Sequence, residues 1–299
     1  MIINATNIEL LFRGFNTSFN KGMEGAPSRY QDVAMVVKST SAQSIYAWLG
    51  QFPRLRQWVG SRVSNAVSTH SYALDNKTFE STVQINRSDI EDDQYGLFSP
   101  LFEEMGRAAG DHPDELIFTL LNNGFSTLCY DDKNFFATDH PVGNGETVLS
   151  VSNMQAGSGP AWFLLDTSRA IKPLLFQERI PYDFQTVTSD EDSWVFRNDV
   201  YEYGIRARVN AGFGLWQLAF ASKATLNMSN YASARSAMAS LKSDEGRPLG
   251  IMPNLLVVGP SMEQAARKLV NNQLIDEGGV SVSNEWAGSV ELMVSPWLT

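Results

Sequence analysis

The stretch DIEDDQYGLFSPLFEEMGRAAGDHPDELIFTLLNNGF, residues 89 to 125, decides how the rest of the chain is arranged. Leu97, Leu101, Met105 and Ala109 recur every four residues, and Leu116, Ile117, Leu120 and Leu121 resume the pattern after Pro113. Recurrence at three and four residues places apolar side chains on one face of an α-helix. The acidic opening Glu91-Asp92-Asp93 suits the positive end of a helix dipole. Asp114 and Glu115 directly after Pro113 resemble another first turn, so either one long helix kinks at the proline or two helices abut there, ending before Gly124. Both versions give the molecule a long structural spine.

Upstream, the capping-box pair Thr6 and Glu9 opens a second helical pattern, with Ile8, Leu11, Phe12, Phe15 and Phe19 recurring at helical spacing until Gly22. A loop with Gly22, Gly25 and Pro27 follows, then the β-branched run Val33 to Val37 and the stretch Ile45 to Leu49; these alternating compact and extended pieces read as an arm rather than a core. Between Gly50 and Arg87 the chain is strand-like. Tyr72 and Leu74 alternate with polar residues before Asp75-Asn76, and Phe79, Val83 and Ile85 do so after it, which reads as a long β-hairpin. This hairpin carries FPRLRQWVG, residues 52 to 60, where Phe52, Leu55, Trp58 and Val59 sit among Arg54 and Arg56. Large apolar groups beside cations point to a partner-binding surface; the plainer reading has them cover their own domain, and solvent exposure separates the two.

Downstream, residues 125 to 160 are rich in Asp, Asn, Gly and Ser, an irregular connection anchored by Phe135 and Phe136. The runs AWFLLD, KPLLFQ, SWVF, YGIRARV and LWQLAF predict an antiparallel sheet over 161 to 222 that packs against the preceding helix, an α+β arrangement. An alanine-rich helix from Tyr231 to Leu241, the strand LLVVG and the helix SMEQAARKLVNN then form a second compact unit.

Charge and composition narrow the function. The chain holds 23 Lys and Arg against 33 Asp and Glu, a net charge of −10, and has no Lys/Arg-rich run. Counterion release requires clustered cations, so wrapping nucleic acid is not its energy source. Cys129 is the only cysteine, which excludes an intramolecular disulfide or multi-cysteine zinc site; its expected role is that of a small buried hydrophobe. The opening MIINATNIELLF lacks the layout of a signal peptide, and no apolar stretch approaches the roughly 20 residues that span a bilayer. A soluble protein without an export signal is expected.

Catalytic constellations are sparse. His70, His112 and His140 have no metal-ligand spacing between them, and neither a G-x-S-x-G elbow nor a nucleotide-binding loop is present. His140 with Asp139 and Asp131-Asp132 is the best catalytic-looking cluster, because a histidine beside a carboxylate can act as general base; a loop held by polar turns explains it as well. The acidic clusters Glu91-Asp93 and Asp190-Asp192 read as helix N-terminal charge and a solvated turn. No catalytic residue, metal site or cofactor is assigned. The competing readings are a carboxylate-based hydrolase using Asp139, His140 and Asp131, which predicts a concave pocket, and an oligomeric tail or baseplate protein, which predicts a small cyclic oligomer.

Several runs carry a resemblance: APSRYQDVAMVVKS (26 to 39), YAWLGQFPRLRQWVG (46 to 60), NKTFESTVQINRSDIEDDQYG (76 to 96), PDELIFTLLNNGF (113 to 125) and CYDDKNFFATDHP (129 to 141). In order and spacing the chain resembles the major head subunits of Mu-like phages, the gpT family, most densely over its first 145 residues and more loosely through YGIRARVNAGFG and RPLGIMPNLLVVGPSMEQAARKLV. The resemblance implies the Hong Kong 97-type capsid fold: an N-terminal arm (1–44), an E-loop hairpin (45–88), a P-domain with spine helix and β-sheet (89–225) and an A-domain (226–299).

The family also implies a homo-oligomer of hexamers and pentamers in an icosahedral virion capsid, assembled in the host bacterial cytoplasm. Scaffolding protein, portal and a decoration protein are the implied partners, and double-stranded DNA is enclosed without sequence-specific binding. Phe52, Arg54, Leu55, Arg56 and Trp58 would contact a neighbour through the E-loop, and Phe12, Phe15 and Phe19 through the arm. No membrane partner is expected.

Overall fold

The structure is a computed structural model and describes residues 5–46, 49, 72–92, 94–143, 148–189, 191–277 and 280–298. Its helices are α1 (Ala5–Gly25), α2 (Tyr30–Val33), α3 (Arg87–Glu91), α4 (Ser99–Asn122), α5 (Ser193–Asn198), α6 (Met228–Ala239) and α7 (Glu263–Val270). The strands of the first half are β1 (Ala34–Lys38), β2 (Gln43–Ile45), β3 (Ala73–Asp75), β4 (Lys77–Asn86), β5 (His140–Val142), β6 (Leu149–Val151) and β7 (Met154–Gln155). Those of the second half are β8 (Trp162–Leu165), β9 (Leu174–Val187), β10 (Val200–Phe213), β11 (Ala219–Ser222), β12 (Leu255–Val258), β13 (Leu274–Glu277), β14 (Val280–Ser283) and β15 (Glu291–Val294).

The spine is one helix. Helix α4 opens at Ser99-Pro100, where a proline costs nothing because the first-turn N–H groups have no intrahelical acceptor, and it runs on through Pro113. Of the acidic triplet expected at its start, Glu91 instead ends the short helix α3 and Asp92 is its C-cap, with the 3₁₀ turn Gln94–Leu97 intervening before α4; Asp93 lies outside the described residues. Beside Pro113, the Asp114 carboxylate accepts hydrogen bonds from Ser28 Oγ at 2.7 Å, Arg29 N at 2.9 Å and Tyr30 N at 2.6 Å, tying the start of α2 to the spine. Two apolar cores meet along the helix: Phe102, Met105 and Ala109 belong to one, and Ile117, Phe118 and Leu121 to the other.

The segment expected as an N-terminal arm packs against the rest of the chain. Helix α1 lies along α4 and buries Ile8, Leu11, Phe15 and Phe19. Strand β1 joins a four-stranded sheet in the order β1-β9-β10-β4, running parallel to β9 with Ala34 opposite Leu174.

The strands of 161 to 222 do not make one sheet. β9 and β10 pair with each other and with β1 and β4, whereas β8 and β11 enter a five-stranded sheet of order β15-β12-β8-β11-β7 with the tail strands. Burial gives the reason. WFLL of β8 and LLVV of β12 are buried throughout, as central strands covered on both faces are, while β9 beyond Gln177 shows a largely alternating pattern with one wetter face. SWVF, expected as a strand, is the helix α5, because the Asp192 carboxylate accepts from Trp194 N at 2.8 Å and caps it. The expected hairpin pairing across Asp75-Asn76 is also absent: β3 pairs with β2, and β4 pairs with β10.

Candidate assembly surface

Residues 46 and 72 stand where the chain enters and leaves the segment carrying the expected contact residues, and both are fixed to the four-stranded sheet. Tyr46 N donates to Tyr72 O at 2.9 Å, continuing the short β2–β3 ladder. Tyr46 is buried and its hydroxyl donates to Gln177 Oε1 at 2.7 Å, while Gln177 Nε2 donates to Leu74 O and Asn76 Oδ1. Asn210 Nδ2 holds Asp75 O at 2.7 Å, and the Tyr72 hydroxyl accepts from Phe213 N at 2.9 Å. Burial pushes the Tyr46 phenol up to about 12 and raises that of Tyr72, so both remain neutral. Phe52, Arg54, Leu55, Arg56 and Trp58 lie outside the described residues.

The phenylalanines expected at a neighbour contact pack against residues of their own chain. Phe15 is 2% exposed and Phe19 1%; Phe15 stacks on Phe102 with ring centroids 4.3 Å apart and meets Tyr203 edge-on at 5.2 Å, and Phe19 stacks on Phe184 at 5.2 Å. Phe12 is half-buried and stacks on Phe184 at 5.6 Å. Phe15 and Phe19 are thus covered within the chain by the docking of α1 on its own α4.

The outer surface at this end is apolar for a different reason. Leu10 of α1, Leu97 of the 3₁₀ turn and Leu101 at the start of α4 are 59%, 75% and 44% exposed. Leu97 and Leu101 continue the spacing-of-four stripe of the spine helix, so periodicity alone marks them as core. A groove of about 410 Å³ lies here, lined by Asn7, Leu10, Leu11, Gly14, Phe15, Gly96 and Ser99. Its signal in the sequence is the surplus of apolar residues at the beginning of the stripe, more than one face needs.

The catalytic-looking cluster is a structural latch. His140 is 0% exposed and stacks flat on Trp216 with centroids 4.0 Å apart. Its Nδ1 bonds Asp131 Oδ2 at 2.7 Å, and Nε2 bonds Asn153 Oδ1 at 3.2 Å. Asp131 Oδ1 accepts from the Cys129 thiol at 3.0 Å and from Lys133 N at 3.2 Å. Burial pushes the Asp131 carboxyl upward, but the hydrogen bonds from His140 and Cys129 outweigh it and hold the group below its ordinary range. Cys129, Asp131 and His140 place potential ligand atoms within 4.8 Å of one another. Burial raises the Cys129 thiol far above its ordinary value, so it is a hydrogen-bond donor here and not a thiolate ligand. Asp139 turns away to pair with Lys133 at 2.5 Å. The three groups of the hydrolase reading thus do not converge on a cleft.

The family described as Mu-like prophage major head subunit gpT matches residues 8–298. The chain is 45% identical to the Mu-like prophage FluMu major head subunit of Haemophilus influenzae over 97% of both chains, and 42% identical to the major capsid protein of Escherichia phage Mu over 100% of both. A chain of the procapsid of bacteriophage JBD30 superposes with a TM-score of 0.87 at 46% identity, covering 99% of this chain and 100% of that one. A chain of the JBD30 capsid decorated with minor capsid protein trimers gives 0.78 at 35% identity, covering 94% of each. Because the match runs from end to end in sequence and in fold, the chain belongs to the major head subunits of Mu-like phages, structural proteins with the Hong Kong 97-type capsid fold.

Proposed function

We propose that copies of this chain assemble as pentamers and hexamers into an icosahedral shell that encloses double-stranded DNA, inside the host bacterial cytoplasm. The observation that carries this reading is the footing of Tyr46, Tyr72, Leu74 and Asp75 on Gln177, Asn210 and Phe213. A segment held at both ends by the sheet, and containing Phe52, Leu55 and Trp58 beside Arg54 and Arg56, has the composition of an E-loop that grips a neighbour. The four-stranded sheet with α1 and α4 then corresponds to the P-domain, and the five-stranded sheet with α6 and α7 to the A-domain.

Rings of five and six from one chain require head-to-tail contacts that tolerate slightly different angles. Each contact is weak alone, since roughly 4 kcal/mol corresponds to millimolar affinity, and several together per subunit hold the lattice. With a net charge of −10 the shell does not condense on DNA by itself, in keeping with assembly on a scaffolding protein, entry of DNA through a portal and later addition of a decoration protein. Electron microscopy of the purified chain tests the reading: capsomers or shells support it, and solitary monomers at high concentration overturn it.

A further inference from the structure

Helix α4 carries a single histidine, His112, at the turn where the helix lacks a rung. The next residue is Pro113, which has no N–H to donate to the Ala109 carbonyl. His112 also falls between the two apolar cores, past Ala109 and before Ile117. It is half-buried and reaches across the four-stranded sheet: its ring meets Phe79 of β4 with centroids 4.4 Å apart, and its Nδ1 lies 2.5 Å from the Tyr182 hydroxyl of β9. Those two strands flank β10 on either side. Tyr182 itself packs against both cores. One imidazole thus pins the spine to two strands at the junction of the cores.

The pin fits one protonation state. Burial pushes the Tyr182 phenol far above its ordinary range, and Tyr30, Glu178 and Glu115 add to the effect, so the hydroxyl keeps its hydrogen. That hydrogen goes to the bare Nδ1 of a neutral imidazole. A proton on His112 fills the nitrogen: Nδ1–H must then donate to the phenol oxygen, the hydroxyl hydrogen has to turn to another acceptor, and a positive charge stands between helix and sheet. We propose that His112 is a pH-sensitive pin, whose protonation in mild acid releases the middle of α4 from β4 and β9 and lets the two cores re-angle about Pro113. Burial opposes that proton and holds the imidazole below its ordinary value, while the Glu115 carboxylate pulls the other way. The other charges nearby are engaged or turned aside. Asp111 faces Arg107, Asp114 receives Ser28, Arg29 and Tyr30, and Glu178 pairs with Lys38. Glu80, Arg206 and Arg208 adjoin Phe79 and its partner Ala207 and so point to the opposite face of the sheet; Lys77 shares the face of Phe79 and is exposed. A histidine protonated less readily in the fold than in the unfolded chain contributes fully above the unfolded value of about 6.5, and the contribution is lost as the pH falls below it toward the folded value.

The test is hydrogen exchange on the full, unassembled chain at about pH 7.5 and about pH 5.5, either side of the ordinary histidine value, with protection corrected for the intrinsic rate. The comparison is His112→Asn, which sets a neutral acceptor near the Nδ1 position and takes up no proton in this range. In the unsubstituted chain, acid lowers protection over residues 109 to 117 and at the amides of β4 and β9, and in His112→Asn protection there is the same at both pH values. An equal acid loss in the variant, or no loss in the unsubstituted chain, overturns the proposal. Should His112→Asn not fold, NMR of the unsubstituted chain with labelled imidazoles decides, since the sequence holds only three histidines. The His112 signal is expected to titrate over the same pH interval in which α4 loosens, and a signal that stays constant through that interval overturns the pin.

Discussion

Gly106 of α4 lies directly against the backbone of Phe19 in α1: a Cβ at position 106 would fall 1.9 Å from the Phe19 carbonyl oxygen. Gly22 makes the reciprocal approach, its Cβ position being 1.9 Å from the Glu103 carbonyl oxygen. The two helices touch through their backbones, and this contact seats Phe15 and Phe19 among Phe102, Phe184 and Tyr203.

Alanine at position 106 must therefore separate the helices, because backbone cannot move aside as a side chain tip can. Gly106→Ala is expected to lower stability by about 2–3 kcal/mol, in the range of overpacked cores. Gly14, in the same helix α1, has nothing within 4 Å of its Cβ position, and Gly14→Ala should be neutral or stabilising by up to about 1 kcal/mol through helix propensity. Urea unfolding of the two variants checks the contrast, and equal effects would refute the close-contact account.

Asp131 and His140 yield a pH prediction. A carboxyl held below its ordinary range in the fold takes up its proton more readily in the unfolded chain. Its contribution is complete above the unfolded value of about 4 and is lost as the pH falls through the lower folded value. Asp131→Asn should cost about 3 kcal/mol near neutral pH, because it strips His140 of a buried charged partner. The gap between parent and variant should narrow toward pH 3 in unfolding titrations. A gap that stays constant with pH would show that the latch is not electrostatic.

Asp114 makes a local prediction. Its carboxylate receives the Ser28 hydroxyl and the amides of Arg29 and Tyr30, so Asp114→Ala leaves two backbone donors at the start of α2 without their acceptor. A loss of about 2–3 kcal/mol is expected, with faster hydrogen exchange at residues 29 and 30 before any change in α4. Unchanged exchange at those amides would assign the stability loss elsewhere.

The spine helix was legible because its stripe runs for 24 residues and needs only local spacing to be seen. The same spacing misleads at Leu97 and Leu101, where the stripe continues past the point at which anything covers it. Sheet membership was illegible for another reason: β8 and β9 have equally β-rich sequences, and which sheet each joins is set by partners far along the chain, such as Ala34 opposite Leu174. The buried run WFLL against the more alternating pattern of β9 was the available clue. At the latch, the nearness of Asp131 and His140 in sequence was visible, but the Trp216 ring that seals it comes from the distant 3₁₀ turn Trp216–Leu218.

The last prediction concerns the segment between the two footings. Trp58→Ala with Leu55→Ala removes two of its large apolar groups while leaving Tyr46, Tyr72 and Gln177 to hold its ends. If these side chains grip a neighbour, their loss leaves the subunit folded with its unfolding midpoint unchanged, and particle formation fails. Should they instead cover their own domain, the variant loses about 3–5 kcal/mol, as large-to-small core changes do, and its monomer unfolds early. Electron microscopy and thermal unfolding on the same preparation separate the two outcomes, and normal shells from a variant of normal stability would remove both residues from the interface.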